Sequence, residues 1–268
     1  MRLPVSGLDA AFRLPDGHDD LAIFEARSAS LHASGVEARG VALERGVDAL
    51  SRLATLGPNP DIGTSPWPAL TITDFEYALL GLRRFLFGDT VACLSRCPCS
   101  ERMEIEFSIA ALLRDSQPRT PRRVVPSTSR AGWFTLPEKH LAFRLPTVGD
   151  QLRALASPTP RALLEQLCIE SNEQGRSVLA IVERAMEAMA PSVSRPVAGV
   201  CAACGADLSL ELQVPTLVLD ELAASASGIH REIHVIAAAY HWPESAILAL
   251  PQLRRQAYTE AILQGGAQ

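Results

Sequence analysis

No apolar run in this chain approaches the roughly 18 residues that a membrane-spanning helix needs, although apolar types make up 47% of its 268 residues. An export signal is missing as well. The opening MRLPVSGLDAAFRLPDGHDD turns acidic before any apolar stretch of signal-peptide length, so the expected location is the cytoplasm, at least when synthesised. A net charge of -5 and a pI near 5.7 argue against a broad cationic surface for nucleic acid. Lysine is almost absent, Lys139 standing alone beside the arginines, a bias of composition that carries no mechanism. Also lacking are a phosphate-cradling glycine loop, a G-x-S-x-G elbow and a cysteine set beside a histidine base.

What the chain does have is a repeat. Ala11-Phe12-Arg13-Leu14-Pro15, with Asp19 and Leu21 after it, recurs as Ala142-Phe143-Arg144-Leu145-Pro146 with Asp150 and Leu152, at a constant offset of 131. Cys99-Ser-Glu-Arg-Met-Glu-Ile-Glu-Phe107 likewise matches Cys204-Gly-Ala-Asp-Leu-Ser-Leu-Glu-Leu212. The shared plan is an opening strand ending in Leu-Pro, a set of helices, a cysteine knuckle and a strand leaving it. Met103, Ile105 and Phe107 alternate with Glu104 and Glu106, the period of a half-buried strand, and Leu208, Leu210 and Leu212 repeat the pattern.

Most of the remainder reads as helix. Thr73-Asp74-Phe75-Glu76 has the form of a capping box before the apolar run to Phe87, and Gly88 is placed to end that helix. Amphipathic patterns run from Asp19 to Leu31, Val36 to Leu56, Pro160 to Ser171, Ser177 to Met189 and Pro215 to Tyr240, the last with proline in its first turn. Short helices from Pro243 and to about Leu263 close the chain. The stretch 57–68, with four prolines and two glycines, suits a surface loop, whereas 117–132 suits a linker.

Six cysteines without an export signal point to metal, buried thiols or redox chemistry ahead of a disulfide framework. Cys201-Ala-Ala-Cys204-Gly has the form of a zinc knuckle, in which two sulfurs share one side of a tight turn and a distant pair completes the shell. Arg96-Cys97-Pro98-Cys99-Ser100 is one residue shorter. The pattern predicts a four-sulfur site of Cys97, Cys99, Cys201 and Cys204, with Cys93 the alternative to Cys97. Four thiolates leave no position for water, so the zinc would be structural. Two other readings stand beside it: free thiols packed as small hydrophobes, and Cys201 as an attacking thiolate, for which no strand-then-helix context is present.

Catalytic constellations are sparse. His230 and His234 sit at i and i+4, yet Glu232 lies between them, and neither metallopeptidase spacing puts it there. Of the carboxylate pairs Asp19-Asp20, Glu104/Glu106 and Asp220-Glu221 none is assigned acid–base work, the last two reading as solvated faces, and Trp133, Tyr240 and Trp242 read as packing anchors. No catalytic or cofactor-binding residue is assigned.

A family resemblance follows from motifs in order along the chain. Phe12-Arg13-Leu14-Pro15 with Asp19-Asp20-Leu21 comes first, then Asp74-Phe75-Glu76, Leu80-Gly-Leu-Arg-Arg and Phe87-Gly-Asp89, then Cys97-Pro98-Cys99-Ser-Glu-Arg-Met-Glu-Ile-Glu-Phe107. Glu232-Ile-His234, Ala239-Tyr240-His-Trp242-Pro-Glu244, Ile247-Leu-Ala-Leu-Pro251 and Arg254-Arg255-Gln-Ala-Tyr258 close it. Together they resemble the baseplate proteins of contractile phage tails and related injection systems, often described as baseplate hub assembly chaperones. This sequence departs from the family's Cys-Pro-x-Cys-Gly-Glu by one deleted residue and by Ser100 in place of glycine. The resemblance implies a non-enzymatic role in forming a baseplate, with hub, spike or wedge proteins as partners.

The expectation is therefore an α+β protein, mostly helical, in two related halves joined by a small zinc-ribbon-like β element. Residues 1–116 form the first half, 117–137 a linker and 138–268 the second half. The alternative function is a zinc-ribbon adaptor acting through Arg119, Arg122, Arg123 and Arg130 on nucleic acid, or on another protein, outside any tail particle.

Overall fold

A computed structural model describes residues 1–30, 35–57, 65–137, 141–171 and 176–265. Leu31, Lys139 and most of the expected loop at 57–68 lie outside these. The fold is α+β and mainly helical, with small antiparallel sheets, and among the described residues no helix is long and apolar enough to cross a membrane. Two compact units form. The first comprises residues 1–10 and 56–214, and the second residues 11–55 and 215–268. Each expected half thus contributes to both units, and 117–137 lies wholly within the first.

In the first unit, β2 ends at Leu56 (Ala54–Leu56) and a short 3-10 turn at Trp67–Ala69 precedes α3 (Ile72–Phe87). Helix α3 is the centre of the unit. Phe75, Ala78, Leu79, Leu80 and Leu82 are all fully buried along it. The expected capping box is corrected here, because Thr71 is the N-cap and accepts from the Asp74 N–H at 3.3 Å. Thr73 is buried and donates to the Pro191 carbonyl at 2.9 Å, and Glu76 has a different employment, described below. Gly88 ends the helix at φ 89°, a left-handed angle that a side chain would resist.

Beyond Gly88 come the hairpin β3 (Thr90–Arg96) and β4 (Arg102–Ser108) and the helix α4 (Ile109–Asp115). Strand β4 carries the expected alternation, Glu104 and Glu106 exposed and Met103, Ile105 and Phe107 half-buried. A four-stranded antiparallel sheet in the order β5-β6-β7-β8 follows, from Val125–Pro126, Trp133–Leu136, Leu141–Arg144 and Ile169–Ser171. Between β7 and β8 run α5 (Val148–Leu155) and α6 (Pro160–Cys168), and α7 (Arg176–Met189) covers the sheet. Phe143, Leu141, Leu136, Val182, Ala185 and Met189 share one core there. A second hairpin, β9 (Pro196–Val200) and β10 (Asp207–Glu211), completes the unit.

The second unit is helical: α1 (Gly17–Ser30), α2 (Gly35–Leu53), α8 (Val214–Ser225), α9 (Ile229–Tyr240), α10 (Glu244–Leu248) and α11 (Gln252–Gly265). Two residues of the short strand β1 (Ala10–Phe12) and two of its partner β2 also belong to this unit. The predicted continuous helix from Pro215 to Tyr240 is two helices broken by a 3-10 turn at Ala226–Gly228. Helix α2 stops at Leu53, three residues before its predicted end, because the chain there joins β1 as a strand.

Arg255 on α11 organises this unit. Only 1% exposed, it donates to the Glu232 carboxylate at 2.8 Å, to Asp20 and to the Leu250 carbonyl at 2.6 Å. Burial pushes the Asp20 carboxyl up, and the Arg255 guanidinium opposes that shift. Gly17 is required beside it, since a Cβ there would come within 2.7 Å of the Leu248 backbone.

Candidate metal centre

Four sulfurs meet where the two hairpins of the first unit turn. Cys97 and Cys99 come from the turn between β3 and β4, Cys201 and Cys204 from the turn between β9 and β10, and all four Sγ atoms lie within 4.8 Å of one another. Cys97 is 3.6 Å from Cys204, and Cys99 is 3.8 Å from Cys201. A tetrahedral zinc with bonds of about 2.3 Å has sulfur–sulfur edges of about 3.8 Å, so the donor set fits this ion in number, chemistry and spacing. Cys93, the alternative ligand, lies back along β3 opposite Ile105.

Local sequence explains each knuckle. The Cys97 N–H donates to the Glu101 carbonyl and the Ser100 N–H to the Cys97 carbonyl, while Cys201 N–H donates to Ala206 and Gly205 N–H to Cys201. Each turn therefore ends in a left-handed residue, Gly205 at φ 72° and Ser100 at φ 74°. Glycine takes that angle freely and serine at a cost of roughly 1–2 kcal/mol. The residue missing from the first knuckle shortens the turn without altering this geometry. Cys97 and Cys201 are buried with Leu208, with Met103 and Ala206 packed against them, whereas Cys99 and Cys204 are exposed.

Without a cation Cys97 and Cys201 shift in opposite directions. N–H donation from Cys204 and Ala203 holds Cys201 down to about 7. Cys97 receives an N–H from Cys99, but burial and its three sulfur neighbours outweigh it and push the thiol up to about 12. Low for one sulfur and high for its neighbour is the pattern of like charges crowded into one site, which a divalent cation relieves.

Helix α3 holds both hairpins in place. The buried Glu76 carboxylate accepts from the backbone N–H groups of Val193 and Ser194 at 2.6 and 3.3 Å and from the hydroxyls of Ser192 and Ser194, fixing the chain just before β9. Burial raises its pKa against those donors. At the other end of α3, Arg83 donates to the carbonyls of Gly88 and Thr90 at 2.7 and 2.8 Å, and Asp89 accepts from the Ser108 hydroxyl and the Ala110 N–H. Asp74 accepts from Val5 and Ser6. The Thr73 to Glu76 spacing predicts a capping box instead of these supports, because the long-range partners of Asp74 and Glu76 have no local signal.

The other singled-out residues are dispersed. Glu232 is bound to Arg255, and exposed His230 packs edge-on against Phe24 with ring centroids 5.4 Å apart, so the two histidines and the glutamate form no common site. Asp19 receives a bidentate pair from Arg13, Asp220 faces Arg27 at 3.4 Å, and Glu104 and Glu106 are exposed. Arg130 stacks over Trp133 at 3.8 Å, and Tyr240, Trp242 and Tyr258 form a ring cluster. Comparison with protein-family models, with curated proteins and with solved structures finds no match to this chain.

Proposed function

We propose that this chain is a non-enzymatic component or assembly factor of the baseplate of a contractile, phage tail-like injection system, binding hub, spike or wedge proteins, with a structural zinc joining its two hairpins into one ribbon. The observation that carries the zinc reading is the four-sulfur cluster at tetrahedral spacing. The baseplate reading comes from the motifs in sequence, and it is supported by where those motifs fall. Asp19, Asp20, Asp74, Glu76, Arg83, Asp89, Glu232 and Arg255 all hold backbone segments or buried ion pairs. A resemblance carried by such residues is one of fold and scaffold, in keeping with a role in assembly.

We also read the two halves as copies of one unit. The order β-α-α-β-α-β-β-α runs from β1 to α4 and again from β7 to α8. In each copy an arginine leaving the first strand grips an aspartate in the next helix bidentately, Arg13 with Asp19 and Arg144 with Asp150. The same arginine also donates to the next carbonyl, that of Leu14 or Leu145. Each copy brings one knuckle, so the metal site would be composite, and removing the metal would loosen the ribbon before the helices melt.

Mass spectrometry of contractile particles from the native host, beside affinity purification of the tagged chain from lysate, tests the reading. A fixed ratio in particles assigns a permanent component, and recovery with hub or spike proteins from lysate alone assigns an assembly factor. Absence from both, or salt-sensitive recovery of nucleic acid in their place, overturns it.

A further inference from the structure

The four sulfurs pair by exposure as well as by distance. Each close contact across the site joins one exposed sulfur to one buried sulfur on the other hairpin: exposed Cys204 with buried Cys97 at 3.6 Å, and exposed Cys99 with buried Cys201 at 3.8 Å. Within the first knuckle, by contrast, a disulfide would have to close over Pro98 alone. That ring fixes one backbone angle and leaves little freedom to reach the dihedral near 90° that a disulfide prefers.

We propose that the cluster is a peroxide-responsive site in which Cys99 and Cys204 are the attacked sulfurs and Cys201 and Cys97 resolve them, exchanging the metal for two disulfides that still join the hairpins. This rests on the metal reading. An exposed thiolate attacks hydrogen peroxide, giving a sulfenic acid and hydroxide, so sulfur is oxidised and the peroxide O–O bond is broken. The buried thiolate of the other hairpin then displaces hydroxide from that sulfenic acid, forming the S–S bond. Each disulfide consumes one peroxide and two thiolates and yields two hydroxides. Once a pair of ligands is gone the zinc shell is broken, and the ion leaves.

The consequence is a staple that outlasts its metal. In reducing surroundings zinc joins the hairpins, and under oxidant the same four sulfurs join them covalently. Dispersed surface thiols would not behave so, because oxidation there carries no partner on the opposite hairpin.

The test uses the full chain as purified. Zinc release is followed with a chromogenic chelator during titration with hydrogen peroxide, and the products are mapped by mass spectrometry after digestion without reduction. Release complete at about one peroxide per zinc, with a second peroxide consumed in forming the other bridge, and the peptide holding Cys97 and Cys99 cross-linked to the one holding Cys201 and Cys204, is the expected result. Cys204→Ser should leave only the Cys99–Cys201 bridge and Cys99→Ser only Cys97–Cys204. A Cys201–Cys204 disulfide within one knuckle, or sulfinic acids without a cross-link, overturns the proposal. If the purified chain carries no zinc, the metal reading fails by itself. The reduced chain is then titrated in the same way, and the same two products decide whether the cross-hairpin pairing stands.

Discussion

Replacing Arg255 with alanine removes the one guanidinium that Asp20 and Glu232 share, and it does so at 1% exposure. Alanine suits helix α11, so propensity contributes nothing adverse. Removing one partner of a buried ion pair costs about 3–5 kcal/mol, because the remaining charge is stranded. Here two carboxylates are stranded, and protonation limits the damage. Bringing a carboxylate of pKa near 4 to its neutral form at pH 7 costs about 4 kcal/mol, three pH units at about 1.4 kcal/mol each. The loss at pH 7 is therefore about 4 kcal/mol if one carboxylate takes a proton and the other finds water, and at most about 8 if both must. The sign with pH follows. In the variant Asp20, which burial already pushes up, loses the opposing guanidinium and rises further, so stability is greatest at low pH and is lost as pH climbs through its folded-state value. The variant's deficit should shrink by about 1.4 kcal/mol per pH unit per carboxylate between pH 7 and 5. Urea unfolding followed by far-UV circular dichroism at both pH values measures this. A deficit below about 1 kcal/mol at pH 7, or one unchanged at pH 5, would refute the assignment of Arg255 as the organiser of this unit.

Three further outcomes are expected. Ser100→Gly should relieve the left-handed strain at φ 74° and tighten zinc retention about fivefold in chelator competition, the equivalent of about 1 kcal/mol; weaker retention would contradict the turn geometry. Asp150→Asn should cost about 1.5–3 kcal/mol in urea unfolding by breaking the Arg144 pair and weakening the bond that the carboxylate accepts from the Thr147 N–H. Burial alone would raise the Asp150 pKa, but Arg144 and the Thr147 N–H hold it below the ordinary carboxylate value. Its contribution is thus present above about pH 4 and lost as pH falls through the lower folded-state value, where the curves of the two proteins should converge. Asp19→Asn should cost less, since Arg13 is 51% exposed and Arg144 only 23%.

The parts of this protein legible in sequence are those with local signals. Gly88 ends α3, Pro215 sits in the first turn of α8, and the alternation of Met103, Ile105 and Phe107 marks β4. The cysteine spacing predicted four residues that the fold brings together, and the exposed position of Cys99 against the buried one of Cys97 follows from their turn. What escaped was long-range. Short strands β2 and β8 read as helix ends, because their three residues continue an amphipathic pattern and become strands only by pairing with β1 and β7. Helices α4 and α5 are too short to show a clear period. Glu76 looked like a capping residue, since nothing nearby in sequence announces Ser192 to Ser194 as its partners.

The metal content of the chain, purified without added metal and measured by inductively coupled plasma mass spectrometry, tests the central claim most directly. About one zinc per chain, abolished in the Cys201→Ser, Cys204→Ser variant, is the predicted result. A stably folded chain free of metal, or zinc retained by that variant, would contradict it.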